Sequence, residues 1–288
     1  MVKATTKKPS ANRAAKRKPK LGQNFLIDAG AAAHIVDALG DVSNRTVIEI
    51  GPGRGVLTGL VIPRAKRVIG IELDRVLAAQ LRMKYATRAN LEVLESDFVT
   101  AEFASMVGRR PGPLHDLRPT QPETVDLVGN LPYYITSDIV LRILELHSHI
   151  ERAVVMVQRE VADRITAAPG SRDYGLLSAT VQLFARTEKL FTLPPGAFSP
   201  PPQVHSSVIR LTMAPRLEEL QVEEEPFVAF LKLAFAQKRK TLANNLRSQY
   251  DVARIRAALK TAGVRPDVRA EAMSLEKTAA IFRALQQA

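Results

Sequence analysis

The chain has 288 residues, of which 46% are hydrophobic and 24% charged, a composition typical of a globular protein with one large or two smaller domains. It lacks cysteine, which excludes disulfides and thiolate chemistry, and it lacks an apolar run of about 18 residues, which excludes a membrane span. Its net charge of +12 favours a polyanionic partner, most often nucleic acid, over a surface that is basic only for solubility.

Residues 1–20 form a basic segment without a periodic apolar pattern. They contain eight Lys or Arg and no acidic residue, and the remainder is rich in Ala, Pro and Ser. This composition is typical of a disordered tail, which could hold a polyanion loosely or serve solubility alone. No apolar core of a secretory signal is present, and together with the absence of cysteine this predicts a cytoplasmic protein.

Short apolar runs then alternate with helical patterns. The runs cover residues 45–51, 67–73, 91–96, 124–130 and 152–158. Helical patterns follow the second run near 74–86, the fourth run through about residue 146, and the fifth run to about residue 167. This alternation predicts an α/β fold, with a parallel sheet covered by helices on both faces. The runs 189–193 and 207–212 predict an antiparallel pair at the edge of the sheet. A Pro-rich stretch at 108–123 predicts a long surface loop.

The composition changes after about residue 213, and residues 225–288 contain no strand pattern. Apolar residues there recur at i, i+3, i+4, i+7 and i+8, as in an amphipathic helix: Phe227, Phe230, Leu231, Ala234 and Phe235. Further helical patterns lie near 252–262 and 275–286. We therefore predict a larger α/β domain at 21–213 and a small all-helical domain at 214–288.

A glycine-rich turn, "VIEIGPGRGVLT" at 47–58, follows the first predicted strand. Gly51, Gly53 and Gly55 allow a tight turn and the close approach of a ligand to the backbone. The spacing is GxGxG, whereas the dinucleotide fingerprint is GxGxxG, and no Lys-Ser/Thr pair follows as in a P-loop. Taken alone, such a turn is often only structural.

Two acidic residues follow the next two predicted strands. Glu72 lies 21 positions after Gly51, where a carboxylate can accept from ribose hydroxyls, and Asp97 can accept from an adenine amine. Either acid alone would more often cap a helix. With the glycine turn, both predict an adenosine ligand without a phosphate, such as S-adenosylmethionine, at the carboxyl edge of the sheet.

The stretch "GNLPYYI" at 129–135 leaves the fourth predicted strand at the same edge. The Asn130 side-chain oxygen and the Leu131 carbonyl can accept from the amine of an adenine, and Pro132 favours extended backbone before it. Tyr133 offers a ring face for a flipped base. Read alone, the stretch could be a turn with core aromatics, and Tyr134 has no predicted role.

These motifs together resemble the ribosomal RNA adenine N6,N6-dimethyltransferase family, most closely its bacterial small-subunit type. The resemblance covers about residues 20–288 and rests on these stretches: "LGQNFL" (21–26), "EIGPGRGVLT" (49–58), "IELDR" (71–75), "GNLPYYI" (129–135) and "AFSPPPQVHSSVIRL" (197–211). It implies a Rossmann-like methyltransferase domain followed by a small helical domain. The implied reaction is dimethylation of two adjacent adenosines near the 3′ end of 16S rRNA, within the small subunit or its precursor.

The resemblance also implies roles for individual residues. The donor would be contacted by Asn24, Leu26, Gly51, Glu72, Asp97 and Asn130. The target adenine would meet Asn130, Leu131, Pro132, Tyr133 and, from the other side, Phe198. Where the family usually has "KVDS", this chain has "QVHS", which leaves RNA contacts of Gln203 and His205 open.

A basic cluster at the start of "RKTLANNL" completes the sequence predictions. We expect RNA phosphates to be bound by Lys238, Arg239, Lys240 and Arg247, although each could instead lie on a solvated helix face. No metal site is predicted, since the five histidines lack paired spacing. We expect a monomer without membrane contact. Two alternatives remain open: a 23S rRNA adenine methyltransferase of the macrolide-resistance type, and a non-catalytic assembly factor.

Overall fold

The computed structural model describes residues 23–103, 107 and 124–287. The predicted tail at 1–20 and the predicted loop at 108–123 lie outside these residues, so both remain predictions.

Nine strands and eleven helices have defined bounds within the described residues. The strands, β1 to β9, are Phe25–Leu26, Thr46–Ile50, Arg67–Glu72, Leu91–Glu95, Val125–Asn130, Ile150–Gln158, Ala185–Leu193, Phe198–Ser199 and Ser206–Met213. The helices, α1 to α11, are Ala29–Asp37, Val56–Val61, Arg75–Lys84, Thr136–Glu145, Arg159–Ile165, Leu176–Phe184, Leu217–Leu220, Glu224–Ala234, Leu242–Leu246, Val252–Thr261 and Leu275–Gln287. No helix among the described residues has the length and apolar character needed to cross a membrane.

Seven strands form one sheet in the order β4-β3-β2-β5-β6-β9-β7. The first five are parallel to their neighbours, and β9 runs antiparallel to both β6 and β7. The predicted parallel sheet and the predicted antiparallel pair are therefore confirmed. The pair is arranged with β7 at the edge and β9 inside, between β7 and β6.

The central strands are buried on both faces, which is why their sequences are continuous apolar runs instead of alternating ones. Along β2, Val47 packs into one hydrophobic cluster with α1 and α2, while Ile48 and Ile50 pack into a second cluster on the opposite face. Each strand thus supplies both cores. The predicted α/β arrangement, with helices on both faces, is confirmed.

The C-terminal helices pack against the second cluster. Phe227, Phe230, Leu231 and Ala234 of α8 are buried, as the helical spacing predicts, and Phe235 is partly buried beside them. The cluster continues from the sheet through α8 to Leu285 of α11. The all-helical C-terminal region is confirmed, whereas the domain boundary after residue 213 remains a prediction.

The order of the sheet places a crevice at the carboxyl ends of β2 and β5. The chain leaves β2 toward β3 on one side, whereas β5 lies on the other side, which makes this a topological switch point. Gly129, one residue before the end of β5, is part of this close packing. A Cβ there would lie 2.6 Å from the Ile50 carbonyl oxygen, so only glycine lets β5 approach β2 this closely.

Candidate active site

A single cavity at this crevice brings together nine of the ten predicted donor and acceptor residues. The nine are Asn24, Leu26, Gly51, Glu72, Asp97, Asn130, Leu131, Pro132 and Tyr133. They come from β1 or its flank and from the carboxyl ends of β2, β3, β4 and β5. Ligands of open α/β sheets bind at this edge, and residues that are far apart in the sequence therefore form one site here.

The glycine turn between β2 and α2 uses the left-handed backbone conformation that its residues permit. Gly51, Gly53 and Gly55 have φ values of 64°, 57° and 76°. A Cβ at Gly53 would lie 3.1 Å from the ring of Phe25, which closes over the turn from β1. The turn therefore brings its glycine backbone to the cavity wall, with the Phe25 ring packed against Gly53.

Glu72 ends β3 with its side chain inside the cavity wall. Its Oε2 accepts from the Gly53 N–H and its Oε1 from the Asp74 N–H, both at 2.9 Å. Burial raises the pKa of Glu72, although these two backbone N–H groups favour the charged form. A carboxylate has about four acceptor positions. The Leu73 N–H also favours the charged form, and the acceptor capacity that these donors leave is available to a ribose hydroxyl.

Asp97 follows β4 and forms the next part of the wall. One of its carboxylate oxygens accepts from the Val99 N–H at 2.9 Å, which fixes the side chain at the start of that turn. Ile50, Leu73 and Phe98 line the same cavity. An apolar slot with an acceptor at its end suits a planar heterocycle that carries an exocyclic amine.

The orientation of the Asn130 amide is set by the opposite wall. Its Nδ2 donates to the Asn24 backbone carbonyl at 2.8 Å, across 106 residues of sequence. No described residue donates to its Oδ1, so the accepting end of the amide is available to a ligand.

Leu131 and Pro132 continue the rim from Asn130. The Leu131 N–H donates to the Met156 carbonyl at 3.0 Å, which ties this segment to β6, while no described group donates to the Leu131 carbonyl. Pro132 has φ −65° and ψ 129° and begins a 3-10 turn at Tyr133–Ile135. Two acceptors, Asn130 Oδ1 and the Leu131 carbonyl oxygen, thus lie at the carboxyl end of the same strand, β5.

Phe198 is the predicted site residue that the structure places outside the cavity. It lies in β8, paired with Leu26 of β1, and is only 2% exposed within the first hydrophobic cluster. Its predicted role in stacking on the target base therefore remains a prediction.

Glu49 and Arg54 also line the cavity, and the sequence predictions did not include them. Glu49 lies in β2, is 1% exposed and accepts from the Thr58 hydroxyl at 2.6 Å. The signal for it was an acid inside an otherwise apolar strand, "VIEIG". The guanidinium of Arg54 lies 4.4 Å from the centre of the Phe25 ring, a cation–π contact at the mouth of the cavity.

Glu49 gives the fold a dependence on pH. Burial raises its pKa from 4.5 to about 7, so between these values the folded state holds a proton that the unfolded state has released. The free energy of unfolding should therefore fall as the pH rises through this range. The Glu49→Gln variant, which cannot ionise, should match the wild type near about pH 4 and exceed it by up to about 3 kcal/mol above about pH 7.

Urea denaturation of both proteins across this pH range measures the effect. Glu95→Gln at the exposed end of β4 is the control, because it replaces a carboxylate of the same sheet by an amide and leaves the buried Glu49 unchanged. A constant difference between wild type and Glu49→Gln at every pH would contradict the expectation.

The predicted basic cluster lies at the start of the helical region. Lys238, Arg239 and Lys240 form the turn between α8 and α9, and Arg247 follows α9. All four are exposed, and none pairs with a carboxylate among the described residues. Lys238 donates to the Arg172 carbonyl at 3.3 Å. Within the described part of the chain, no group of three potential metal ligands lies together.

Comparisons with known proteins give a consistent result. A model of the family described as ribosomal RNA adenine dimethylase matches residues 14–287. A ribosomal RNA small subunit methyltransferase A from Koribacter versatilis is 60% identical over 271 residues, covering 94% of this chain and 95% of that protein.

Solved structures share the fold over most of its length. The 23S rRNA methyltransferase ErmE superposes with a TM-score of 0.68 at 30% identity, covering 92% of this chain and 100% of that one. A dimethyladenosine transferase from Plasmodium falciparum superposes with a TM-score of 0.75 at 23% identity, covering 91% and 98%.

The sheet order and the cavity at its carboxyl edge define a Rossmann-like, S-adenosylmethionine-dependent methyltransferase. The family match spans nearly the whole chain, and the protein belongs to the ribosomal RNA adenine dimethylase family. It is an enzyme that methylates ribosomal RNA, and the family resemblance predicted from the sequence is confirmed.

Proposed function

We propose that the protein dimethylates the N6 amines of two adjacent adenosines near the 3′ end of 16S rRNA, in the small subunit or its precursor. The small-subunit relative is 60% identical over 94% of the chain, against 30% for the 23S enzyme ErmE. The observation that carries the chemistry is the Asn130 amide, whose nitrogen is held by the Asn24 carbonyl and whose oxygen is available.

The residues of the cavity fit S-adenosylmethionine. Glu72 can accept from the ribose diol, Asp97 can accept from the adenine amine, and Gly51 brings its backbone to the same cavity. Asn24 and Leu26 form the side of the cavity toward β1. The bound donor supplies an electrophilic methyl group. This chain supplies its position, with little need for residues to move.

At the acceptor end, the chain makes the adenine amine reactive. The lone pair of that amine is delocalised into the ring, which makes it a poor nucleophile. In the first transfer, hydrogen bonds from its two N–H groups to Asn130 Oδ1 and the Leu131 carbonyl favour a pyramidal nitrogen and free the lone pair; in the second transfer, the one remaining N–H bonds to one of these acceptors. No strong base is needed, because the nitrogen is acidic once it carries a positive charge. Pro132 fixes the rim, and Tyr133 stacks on the base.

Phe198 is retained as the second stacking group of this proposal. It is paired directly with Leu26 in the β1–β8 ribbon, beside the cavity but behind its wall. We propose that β8 separates from β1 when this ring reaches the target base. The stacking would then accompany RNA binding and would be absent from the free enzyme.

We propose that the helical domain at 214–288 binds the RNA that lies outside the cavity. The basic cluster of Lys238, Arg239, Lys240 and Arg247 is exposed and has no carboxylate partner among the described residues. Such cations bind phosphates by releasing counterions. We propose that the enzyme acts as a monomer in the cytoplasm, where its ribosomal substrate is assembled, and without contact to a membrane.

Removing charge from this cluster should weaken RNA binding in a salt-dependent way. For Arg239→Ala/Lys240→Ala we expect the slope of log Kd against log salt to fall by about 1.5, close to the loss of two phosphate contacts. Filter binding to small subunits between about 50 and 200 mM salt measures the slope. The matched control is Arg256→Ala/Lys260→Ala on α10, two exposed cations outside the cluster. An equal loss in the control would show that only the net charge matters.

The proposed substrate is tested by supplying radioactive donor to separated ribosomal subunits. Incorporation into 16S rRNA of small subunits that lack these methyl groups is expected, with dimethyladenosine at two adjacent positions near the 3′ end. Label in large subunits alone would support the 23S alternative. Binding to small subunits without any label would support the alternative of a non-catalytic assembly factor.

A further inference from the structure

The hydroxyl groups of Tyr133 and Ser206 share a hydrogen bond of 2.5 Å between Oη and Oγ. The two residues are 73 positions apart in the sequence. Ser206 is the last residue of the "FSPPPQVHS" stretch, which contributed to the family resemblance without a role for its serine. The contact gives that serine a direct connection to the acceptor side of the cavity.

Ser206 is one of the most firmly held residues near the cavity. It begins β9, is 0% exposed, and its neighbours across the ladders are Gln158 of β6 and Leu193 of β7. A residue between two strands has its backbone fixed from both sides. Its Cα and Cβ therefore keep a constant position relative to the sheet, and the hydroxyl needs only one rotamer to reach Tyr133.

The segment that carries Tyr133 is held less firmly. It is a three-residue 3-10 turn, closed by a 3.3 Å bond from the Ile135 N–H to the Pro132 carbonyl. The Tyr133 side chain is half-buried, and among the described residues only Ser206 makes a hydrogen bond with it. Burial raises the pKa of Tyr133, so its hydroxyl stays protonated and able to donate. A single hydrogen bond thus anchors the hydroxyl end of the ring.

We propose that Ser206 is a positioning residue, which holds the Tyr133 ring in the orientation that receives the target adenine before RNA binds. The inference rests on the proposed function, in which Tyr133 stacks on that base. A ring fixed in advance does not lose rotational freedom when the base arrives, and the base meets the two acceptors of the rim in register. Ser206 itself touches neither substrate.

The proposal predicts a change in kcat without a change in the KM for S-adenosylmethionine. Without the hydroxyl contact, the ring samples other orientations, and a smaller share of bound adenines is held for methyl transfer. The kcat should therefore fall about three- to tenfold, the size of one hydrogen bond between neutral groups. The KM for S-adenosylmethionine should not change, because its predicted contacts lie on Glu72, Asp97 and the glycine turn.

The experiment compares Ser206→Ala, Tyr133→Phe and the double variant in steady-state methylation of small subunits. Tyr133→Phe keeps the ring and loses the contact. If the two hydroxyls act as one unit, each single variant loses kcat to a similar extent and the double variant loses no more. The matched control is Ser207→Ala, since Ser207 is equally buried but bonds to Thr192 at 2.8 Å. Its kcat should remain within about twofold of the wild type.

Two results would overturn the inference. One is an equal fall in kcat for Ser207→Ala and Ser206→Ala, which would mean that any lost hydroxyl in β9 acts through stability. The other is losses that multiply in the double variant, which would mean that the two hydroxyls act separately. Both differ from a failure of the proposed function, in which the wild-type protein itself would not methylate small subunits.

Discussion

Asn130→Ala is expected to lower kcat by about a hundred- to a thousandfold, the effect of removing one preorganised hydrogen-bonding group from a transition state. The reason is the loss of one of the two proposed acceptors for the adenine amine. The affinity for small subunits should be largely kept, because the exposed basic cluster is unchanged. Single-turnover methylation and subunit binding, measured on the same preparations, test both parts.

Asn90→Ala provides a matched control for this variant. The Asn90 amide also donates to backbone carbonyls, those of Ile62 at 2.9 Å and Ala65 at 3.0 Å, but it lies before β4 at the opposite end of the strands. We expect reduced stability and a kcat near that of the wild type. Methylation by Asn130→Ala at a rate similar to the wild type would contradict the mechanism.

A second Asn130 variant tests the orientation of the amide. Asn130→Asp keeps an accepting oxygen but places carboxylate density against the Asn24 carbonyl, which now accepts from Nδ2 at 2.8 Å. Two facing acceptors repel each other, so the side chain should turn away from its present position. Activity close to that of Asn130→Ala is therefore expected, and a fully active variant would show that only an acceptor is required.

Glu72→Gln should raise the Kd for S-adenosylmethionine about a hundredfold. The carboxylate accepts from Gly53 and Asp74, and in the proposed donor complex it also accepts from the ribose. An amide offers one oxygen, and its NH2 group would face a backbone N–H. Hydrogen bonds to charged groups contribute about 1.5–3 kcal/mol each, so losing one or two gives an effect of this size. Isothermal titration calorimetry with the donor alone measures it.

Glu95→Gln is the control for charge in this measurement. Glu95 is directly opposite Glu72 in the register between β3 and β4 and ends its strand at the same edge. The Glu95→Gln variant removes the same unit of charge near the cavity without changing a residue that lines it. A similar loss of donor affinity in both variants would mean that Glu72 acts only through the electrostatic potential.

The sequence was most informative where local chemistry decides the structure. Runs such as "RTVIEIG" combine β-branched residues with a terminal glycine, so their strands and the following turns could be predicted directly. Parallel strands bring their carboxyl ends to one edge. That rule alone was enough to predict that Gly51, Glu72 and Asp97 share a site, and the structure places all three on the same cavity.

Contacts between distant segments could not be predicted in this way. The bond between Asn130 and Asn24 spans 106 residues, and no local pattern encodes it. Glu49 was missed because an acid within a strand usually faces solvent, whereas here both faces of β2 are covered. The enclosed position of Phe198 depends on the pairing of two short strands, β1 and β8, for which neither sequence gave a signal.

Under the proposed role of Phe198, the small β1–β8 ribbon would couple the binding of the donor to the binding of RNA. Leu26, on the donor side, is paired with Phe198, the proposed stacking partner of the target base. If β8 has to separate from β1 for that stacking, a donor that holds β1 in place alters the free energy of the separation. Linkage is reciprocal, so RNA must then change the affinity for S-adenosylmethionine by the same factor by which the donor changes the affinity for RNA.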